Sequence, residues 1–354
     1  MSRQLNYCGE RLHADPSQLD LAPISKQKTR SPRKARHLTH TSPYYETRLG
    51  AAYLGDALRL IKGVPDRSVN LILTSPPFAL HQKKEYGNVT SEEYVPWFGQ
   101  FADEFRRVLS NDGSLIIHIG GGWKRGEPSK SLYTYKLLLS LCQEKGFQLA
   151  QDFYWHNPAK LPVPAEWVNV RRIRVKDTVE FIWWLSQDSF PKADNRKVKK
   201  PYSKSMRTLL NNGCKTELRP SGHTISAKFG RNHGGAIPPN IFSISYGDDD
   251  AGSNLLAISN TDSNSRYLRL CREFNVKPHP ARYPDAIPDF FIRFLTDDGD
   301  RVLDPFGGSN VTGAVSEKLG RKWMCFEIRE DYLRGSMFRF GEDEVLSKPR
   351  IAST

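Results

Sequence analysis

The sequence predicts an α/β protein: a doubly wound, mostly parallel sheet carrying an inserted region. Three observations lead there. Apolar runs such as residues 69–73 and 114–119 lack polar alternation, as strands buried on both faces do. Stretches with helical spacing fall between them. The alternation then fails over about 186–277, which is rich in Pro, Asn, Ser, Lys and Arg, and resumes beyond it. A chain of 354 residues with 38% hydrophobic content has room for one large domain plus an insertion.

Taken in order, residues 1–43 read as a basic, flexible extension, because Lys26, Lys28, Arg30, Arg33, Lys34 and Arg36 crowd a Ser/Pro/Thr stretch. Residues 52–54 form a short strand followed by Asp56, and 57–61 a short helix. The run 69–73 is a buried strand that stops at Ser75-Pro76-Pro77. Residues 91–109 are helical, with Ser91 as cap and Val95, Phe98, Ala102, Phe105 and Leu109 on one face. Asn111-Asp112-Gly113 is a turn into strand 114–119, which exits through Gly120-Gly121-Gly122. A helix over 132–146 and strands over 150–155 and 180–185 follow. After the irregular region come a helix at 288–296, a strand at 301–303, a helix at 312–319 and a strand at 322–326. The expected division is a catalytic part at 44–185, a target-recognition region at 186–278, a cofactor-binding part at 279–340 and a tail at 341–354.

Composition narrows the function. No run of eighteen apolar residues is present, so no membrane helix is expected. The first twenty residues lack an apolar core, so no secretory signal is expected. Cys8, Cys142, Cys214, Cys271 and Cys325 are scattered without metal-ligand spacing, which points to reduced thiols in a cytoplasm and no metal. A net charge of +13 suits an acidic polymer such as nucleic acid.

Two short segments carry the chemistry. Asp304-Pro305-Phe306-Gly307-Gly308-Ser309 follows a strand and precedes a helix, where glycines let a ligand approach the backbone. Glu327 ends the next strand, placed to accept ribose hydroxyls. The full GxGxxG is absent and the helix start is not spaced for a pyrophosphate. A cofactor with a ribose but no phosphate is therefore expected, namely S-adenosylmethionine. The other segment is Thr74-Ser75-Pro76-Pro77-Phe78. Two prolines hold a rigid, extended backbone whose carbonyls point outward as acceptors. The exocyclic amine of cytosine or adenine is a poor nucleophile because its lone pair is delocalised into the ring. A Pro76 carbonyl and the Ser75 hydroxyl would draw its hydrogens out of plane and free that lone pair to attack a methyl sulfonium. Phe78 would stack on a base flipped from the duplex. No Pro-Cys dipeptide follows a strand, which argues against carbon-five methylation, and no zinc signature supports deamination.

At these residues the chain resembles the β-class DNA amino-methyltransferases, and within them the PvuII-type N4-cytosine enzymes of restriction–modification systems. The resemblance runs from about Tyr44 to Phe340. It includes 74–88, Asp152-Phe153-Tyr154-Trp155, Glu166-Trp167-Val168-Asn169, Arg219-Pro220-Ser221-Gly222-His223, 234–240, 279–284 and 304–313. It implies a circularly permuted methyltransferase fold and a catalytic motif of Ser75, Pro76, Pro77 and Phe78. Cofactor contacts are implied from Asp304, Phe306, Gly307, Gly308 and Ser309, with Glu327 on the ribose and Asp56 facing the adenine. Residues 279–284 lead into the helix that completes the methionine end. Ser75 in the first motif position favours cytosine, since adenine enzymes more often carry Asp or Asn there. The strand at 114–119 carries His118 where similar enzymes have Asp. A lone strand histidine is most often structural, so His118 stays outside the expected catalytic set, and its replacement by Ala is expected to cost little.

The expected partner is double-stranded DNA, with a cognate restriction endonuclease as functional counterpart and a monomer or weak dimer as the working unit in a prokaryotic cytoplasm, at the nucleoid. Phosphate contacts are expected from Arg171, Arg172, Arg174 and Lys197, and base or backbone contacts from Arg219, His223 and Arg231. N6-adenine methylation, and a DNA-binding module without catalysis, stay open as alternatives.

Overall fold

Three apolar clusters, spread over the two faces of a single sheet, organise the chain. The computed structural model describes residues 38, 41–79, 87, 89–158, 160–213, 217–218, 222, 224–225, 230–244, 256–258 and 262–346. All of these lie in one unit, Lys34–Thr354. In chain order the elements are β1 (Tyr45–Glu46), β2 (Gly50–Leu54), α1 (Ala57–Ile61), β3 (Val69–Thr74), α2 (Tyr94–Val108), β4 (Leu109–Ile119), α3 (Tyr133–Leu139), β5 (Gln148–His156), β6 (Val179–Ser186), α4 (Lys204–Asn212), β7 (Glu217–Leu218), β8 (Thr224–Ile225), β9 (Ile241–Ile244), β10 (Leu256–Ile258), α5 (Asp262–Glu273), α6 (Ala286–Leu295), β11 (Arg301–Asp304), α7 (Val311–Lys318), β12 (Lys322–Glu327) and α8 (Glu330–Ser336).

Ten strands form one sheet in the order β1-β2-β12-β11-β3-β4-β6-β5-β9-β10, and β7 and β8 make a separate pair. From β2 to β10 every strand runs the same way except β6, which is antiparallel to both β4 and β5. The doubly wound, mostly parallel prediction therefore holds. Side chains alternate across the sheet. Leu115, Ile117 and Ile119 of β4 face α1, α2 and α3, with Leu60, Phe98, Phe105 and Leu137. Ile116 faces the other way, onto Phe290, Phe291 and Leu295 of α6 and Val311 and Val315 of α7.

Several boundaries differ from expectation for local reasons. Helix α2 begins at Tyr94, not residue 91: the Thr90 hydroxyl, not Ser91, binds the Glu93 N–H and carboxylate. Asn111-Asp112-Gly113 does not close a turn. It is bulged out of β4, so that Val69 pairs with Leu109 while Leu71 already pairs with Ser114. The irregular region contributes to the sheet as well: β9 pairs with β5, Phe242 is buried between Phe153 and Phe290, and β10 adds a further strand. No helix among the described residues is long and apolar enough to cross a membrane.

Candidate active site

Strands β3 and β11 are neighbours, so the two predicted segments leave the sheet side by side at its carboxyl edge. A hydrogen bond joins their last strand residues: Thr74 Oγ1 donates to Asp304 Oδ1 at 2.8 Å across 230 positions of sequence. Helix α2 clamps both. Tyr94 donates its hydroxyl to the Pro77 carbonyl at 2.8 Å, and Trp97 and Phe101 pack on the Phe306 ring at 5.9 and 5.0 Å. Ser75, Pro76, Pro77, Phe78, Asp56, Phe306, Gly307, Gly308, Ser309 and Glu327 all line one cavity of about 610 Å³.

Register explains the catalytic side. Thr74 pairs with Ile117 across β3 and β4, so Ser75 lies beside His118. Ser75 Oγ and His118 Nδ1 share a hydrogen bond of 3.0 Å. His118 Nε2 meets Glu180 Oε2 at 2.8 Å, and Lys160 Nζ donates to Glu180 Oε1 at 2.6 Å. His118 faces Ile182 across the β4–β6 pair, which makes Glu180 its diagonal neighbour on the same face. Burial alone would raise the Glu180 carboxyl. The His118 hydrogen bond and the charges of His118 and Lys160 outweigh burial and hold it at about 2. The expectation that His118 is a bystander is thus corrected: it is bonded to the motif serine, and His118, Glu180 and Lys160 all line the cavity. The signal was present in the sequence, as one charge in the otherwise apolar run of β6. Phe78 is fixed edge-on to the His118 ring, 5.6 Å between centroids. A Cβ on Gly120 would stand 2.7 Å from the Phe78 ring, so glycine there makes its room.

On the opposite side, Glu327 is buried at the end of β12. Its oxygens accept from Gly308 N at 2.8 Å and Arg329 N at 2.9 Å. Burial dominates, and its carboxyl rises to about 7. Gly308 has φ +51, and a Cβ there would sit 3.1 Å from the His279 ring, so both backbone and space demand glycine. Burial brings the His279 imidazole down to about 4. Ser309 is held by Arg339 through its hydroxyl and carbonyl, at 2.9 and 2.8 Å. Asp56 caps α1 by accepting from Arg59 N at 2.9 Å.

Asp304 departs from its predicted role. Its oxygens accept from Thr74, from Thr312 Oγ1 at 2.8 Å and from Phe306 N at 3.1 Å, and it sits behind the cavity wall. It ties the two segments together, and no face of it is turned to a ligand. Tyr283, not singled out from sequence, lines the cavity and bonds Thr312 at 2.5 Å; burial keeps its phenol un-ionised.

The basic residues divide by sheet edge. The loop after β5 lies at the carboxyl edge against the loop after β4, where Trp123 Nε1 donates to Asp177 at 3.0 Å. It presents exposed Arg171 and Arg172. Arg171 also pairs with Glu166 at 2.7 Å, and Arg174 donates to the Pro128 and Ile173 carbonyls at 3.0 and 2.7 Å. Lys197 corrects the sequence reading. The chain leaves β6 at the opposite, amino edge, where Lys197 pairs with Asp297 and donates to the Thr296 carbonyl at 3.0 Å, just ahead of β11. It anchors that segment to the fold, away from the cavity. Arg231 is exposed beside the Lys200–Ala236 bridge. Arg219 and His223 lie outside the described residues.

Comparison with known proteins places this geometry. The sequence profile described as DNA methylase, for N6 and N4 methyltransferases, matches residues 69–338. The chain belongs to the DNA methylase family. The methylase is 46% identical over 306 residues to the type II methyltransferase M.PvuII of Proteus hauseri, covering 86% of this chain and 87% of that one. It is 29% identical over 296 residues to M.BamHI of Bacillus amyloliquefaciens, covering 81% of this chain and 56% of that one. Its fold matches the solved structure of PvuII DNA methyltransferase (cytosine-N4-specific) with a TM-score of 0.67 and 40% identity, over 86% of this chain and 90% of that one. The methylase is accordingly an enzyme of DNA modification, and the resemblance read from its motifs holds.

Proposed function

We propose that this methylase transfers the methyl group of S-adenosylmethionine to the N4 amine of a cytosine flipped out of duplex DNA, at a specific short site, and so protects that site from a partner restriction endonuclease. One observation carries the reading: the Thr74–Asp304 hydrogen bond that brings the proline turn and the glycine turn to one cavity. The 46% identity to M.PvuII supports cytosine over adenine, as does serine in the first motif position.

The cavity residues fit the cofactor. Phe306, Phe326, Leu58 and Ile328 offer apolar walls for an adenine, Glu327 offers carboxylate oxygens to a ribose diol, and Gly308 leaves its backbone open. When bound, S-adenosylmethionine supplies a methyl carbon made electrophilic by a sulfonium. The chain's own residues do the rest by placement. The Pro77 carbonyl is already taken by Tyr94, so the amine's acceptors are Ser75 Oγ and the Pro76 carbonyl. Phe78, held edge-on by His118, gives a flipped base a ring to stack on. Arg171 and Arg172 at the carboxyl edge, with exposed Val170, Ile173 and Val175 beside them, face the duplex, and Arg219, His223 and Arg231 serve the recognition region. Such an enzyme serves one strand at a time, as a monomer or weak dimer, in a prokaryotic cytoplasm.

The test is transfer from methyl-labelled S-adenosylmethionine to DNA, with nucleosides identified by mass spectrometry. N4-methylcytosine is expected. N6-methyladenine as the main product would move the assignment to adenine, and no transfer above background would leave a DNA-binding module. Ser75→Ala is expected to slow single-turnover transfer about 100-fold with little change in cofactor affinity.

A further inference from the structure

We propose that His118 and Glu180 form a proton-accepting dyad that acts through Ser75 on the target amine. The geometry is a continuous chain: Ser75 Oγ to His118 Nδ1 at 3.0 Å, His118 Nε2 to Glu180 Oε2 at 2.8 Å, and Glu180 Oε1 to Lys160 Nζ at 2.6 Å. His118 is 6% exposed and Glu180 9%, so the bond between them is held away from bulk water. The carboxylate at Nε2 fixes the neutral imidazole's proton on that nitrogen. Nδ1 is then an acceptor, and the Ser75 hydroxyl must point its hydrogen at it. That turns an oxygen lone pair of Ser75 outward to the amine. Lys160 keeps Glu180 ionised without donating to His118, so the carboxylate orients the ring and stabilises its charged form.

The step rests on the methyl transfer proposed above and balances as follows. The amine nitrogen bonds the methyl carbon as the carbon–sulfur bond breaks toward sulfur, which loses its positive charge. The nitrogen sheds one proton to Ser75 Oγ while the Ser75 proton passes to His118 Nδ1. The positive charge ends on the imidazolium, beside Glu180. Among the described residues, the titratable groups facing His118 are Ser75 from the end of β3, Glu180 from β6, Lys160 behind it from the loop after β5, and Tyr283 ahead of α6, with the Phe78 and Trp155 rings closing the sides.

The experiment compares wild type, Glu180→Gln, His118→Asn and the double variant His118→Asp/Glu180→Gln by single-turnover transfer across pH, with cofactor and DNA affinities measured alongside. Nitrogen-15 NMR of ring-labelled histidine reads the His118 tautomer in the free enzyme. Wild type is expected to show the Nε2–H tautomer and a measurable acid limb in its pH–rate profile. Glu180→Gln and His118→Asn are expected to lose about 100-fold or more in rate with affinities within about threefold. Glu180→Gln should also erase the tautomer preference. The double variant is expected to recover rate with its pH limb moved to lower pH, which a merely structural role would not produce. Wild-type transfer that survives both single variants within about threefold, with an unmoved pH limb, overturns the dyad and leaves the methylation reading intact. Absence of wild-type transfer to DNA sinks that reading first, and the dyad with it.

Discussion

Glu180 and Glu327 look into one cavity from its catalytic and its cofactor side and are almost equally buried, 9% and 7% exposed, yet their carboxyls move in opposite directions. Burial pushes both up. At Glu180 the His118 bond and the His118 and Lys160 charges overcome it, and the value falls to about 2. At Glu327 backbone N–H groups of Arg329 and Gly308 are the main compensation, and the value climbs to about 7. Burial therefore does not decide what a buried acid does; its neighbours do. The catalytic half holds a permanent anion tied into a proton path. The cofactor half holds a carboxyl whose charge settles when a ligand brings donors to it.

The strongest way to break this comparison is to close the cofactor half. Gly308→Trp forces a side chain onto a backbone with φ +51 and into the His279 ring, which stands 3.1 Å from a Cβ. Calorimetry is expected to find no measurable cofactor binding, while DNA binding persists. Unaltered cofactor affinity would show that the glycine turn faces something else. The next effect tests whether the halves depend on one another. Thr74→Val removes a donor from buried Asp304 without changing side-chain volume much. The expected cost is about 1–3 kcal/mol in urea unfolding. Cofactor affinity and transfer rate should fall together, because one bond positions both turns. A loss confined to one of the two would mean that each turn is held by its own half.

Much of this site was legible because its parts are local. A strand stopped by Ser75-Pro76-Pro77, a strand opening into Phe306-Gly307-Gly308, and an acid ending the following strand each reveal themselves within a few residues. What sequence hid depends on register and on which edge of the sheet a segment leaves from. Glu180 meets His118 because β6 runs antiparallel to β4, a pairing that no local pattern announces. Asp304 looked like a ligand because it ends the right strand, but Thr74 and Thr312 saturate it. Lys197 looked like a phosphate contact because it sits in a basic run, but the run leaves from the amino edge and meets Asp297. Strands β9 and β10 were missed because runs of four and three residues in a Pro- and Asn-rich stretch give periodicity nothing to detect.

The smallest effect sharpens the contrast most. Glu327 ordinarily titrates near 4.5 and here near about 7, so close to neutral pH it is divided between its two forms. The protonated form has spent one oxygen on a hydrogen and offers a ribose diol fewer acceptors. Cofactor affinity is therefore expected to climb severalfold from about pH 6 to pH 8 and then level off. Stability of the free enzyme moves the other way. A carboxyl raised in the fold gives its full contribution below its unfolded value of 4.5 and loses it as pH rises toward about 7, a loss of roughly 3 kcal/mol at most. Glu327→Gln should flatten both curves, measured by calorimetry and by thermal melting over the same pH range. Glu180, at about 2, and His279, at about 4, titrate below this window and cannot produce the slope. Should Glu327→Gln keep the wild-type slope in affinity, the ribose contact belongs to another group, and the contrast between the two acids would be electrostatic without being functional.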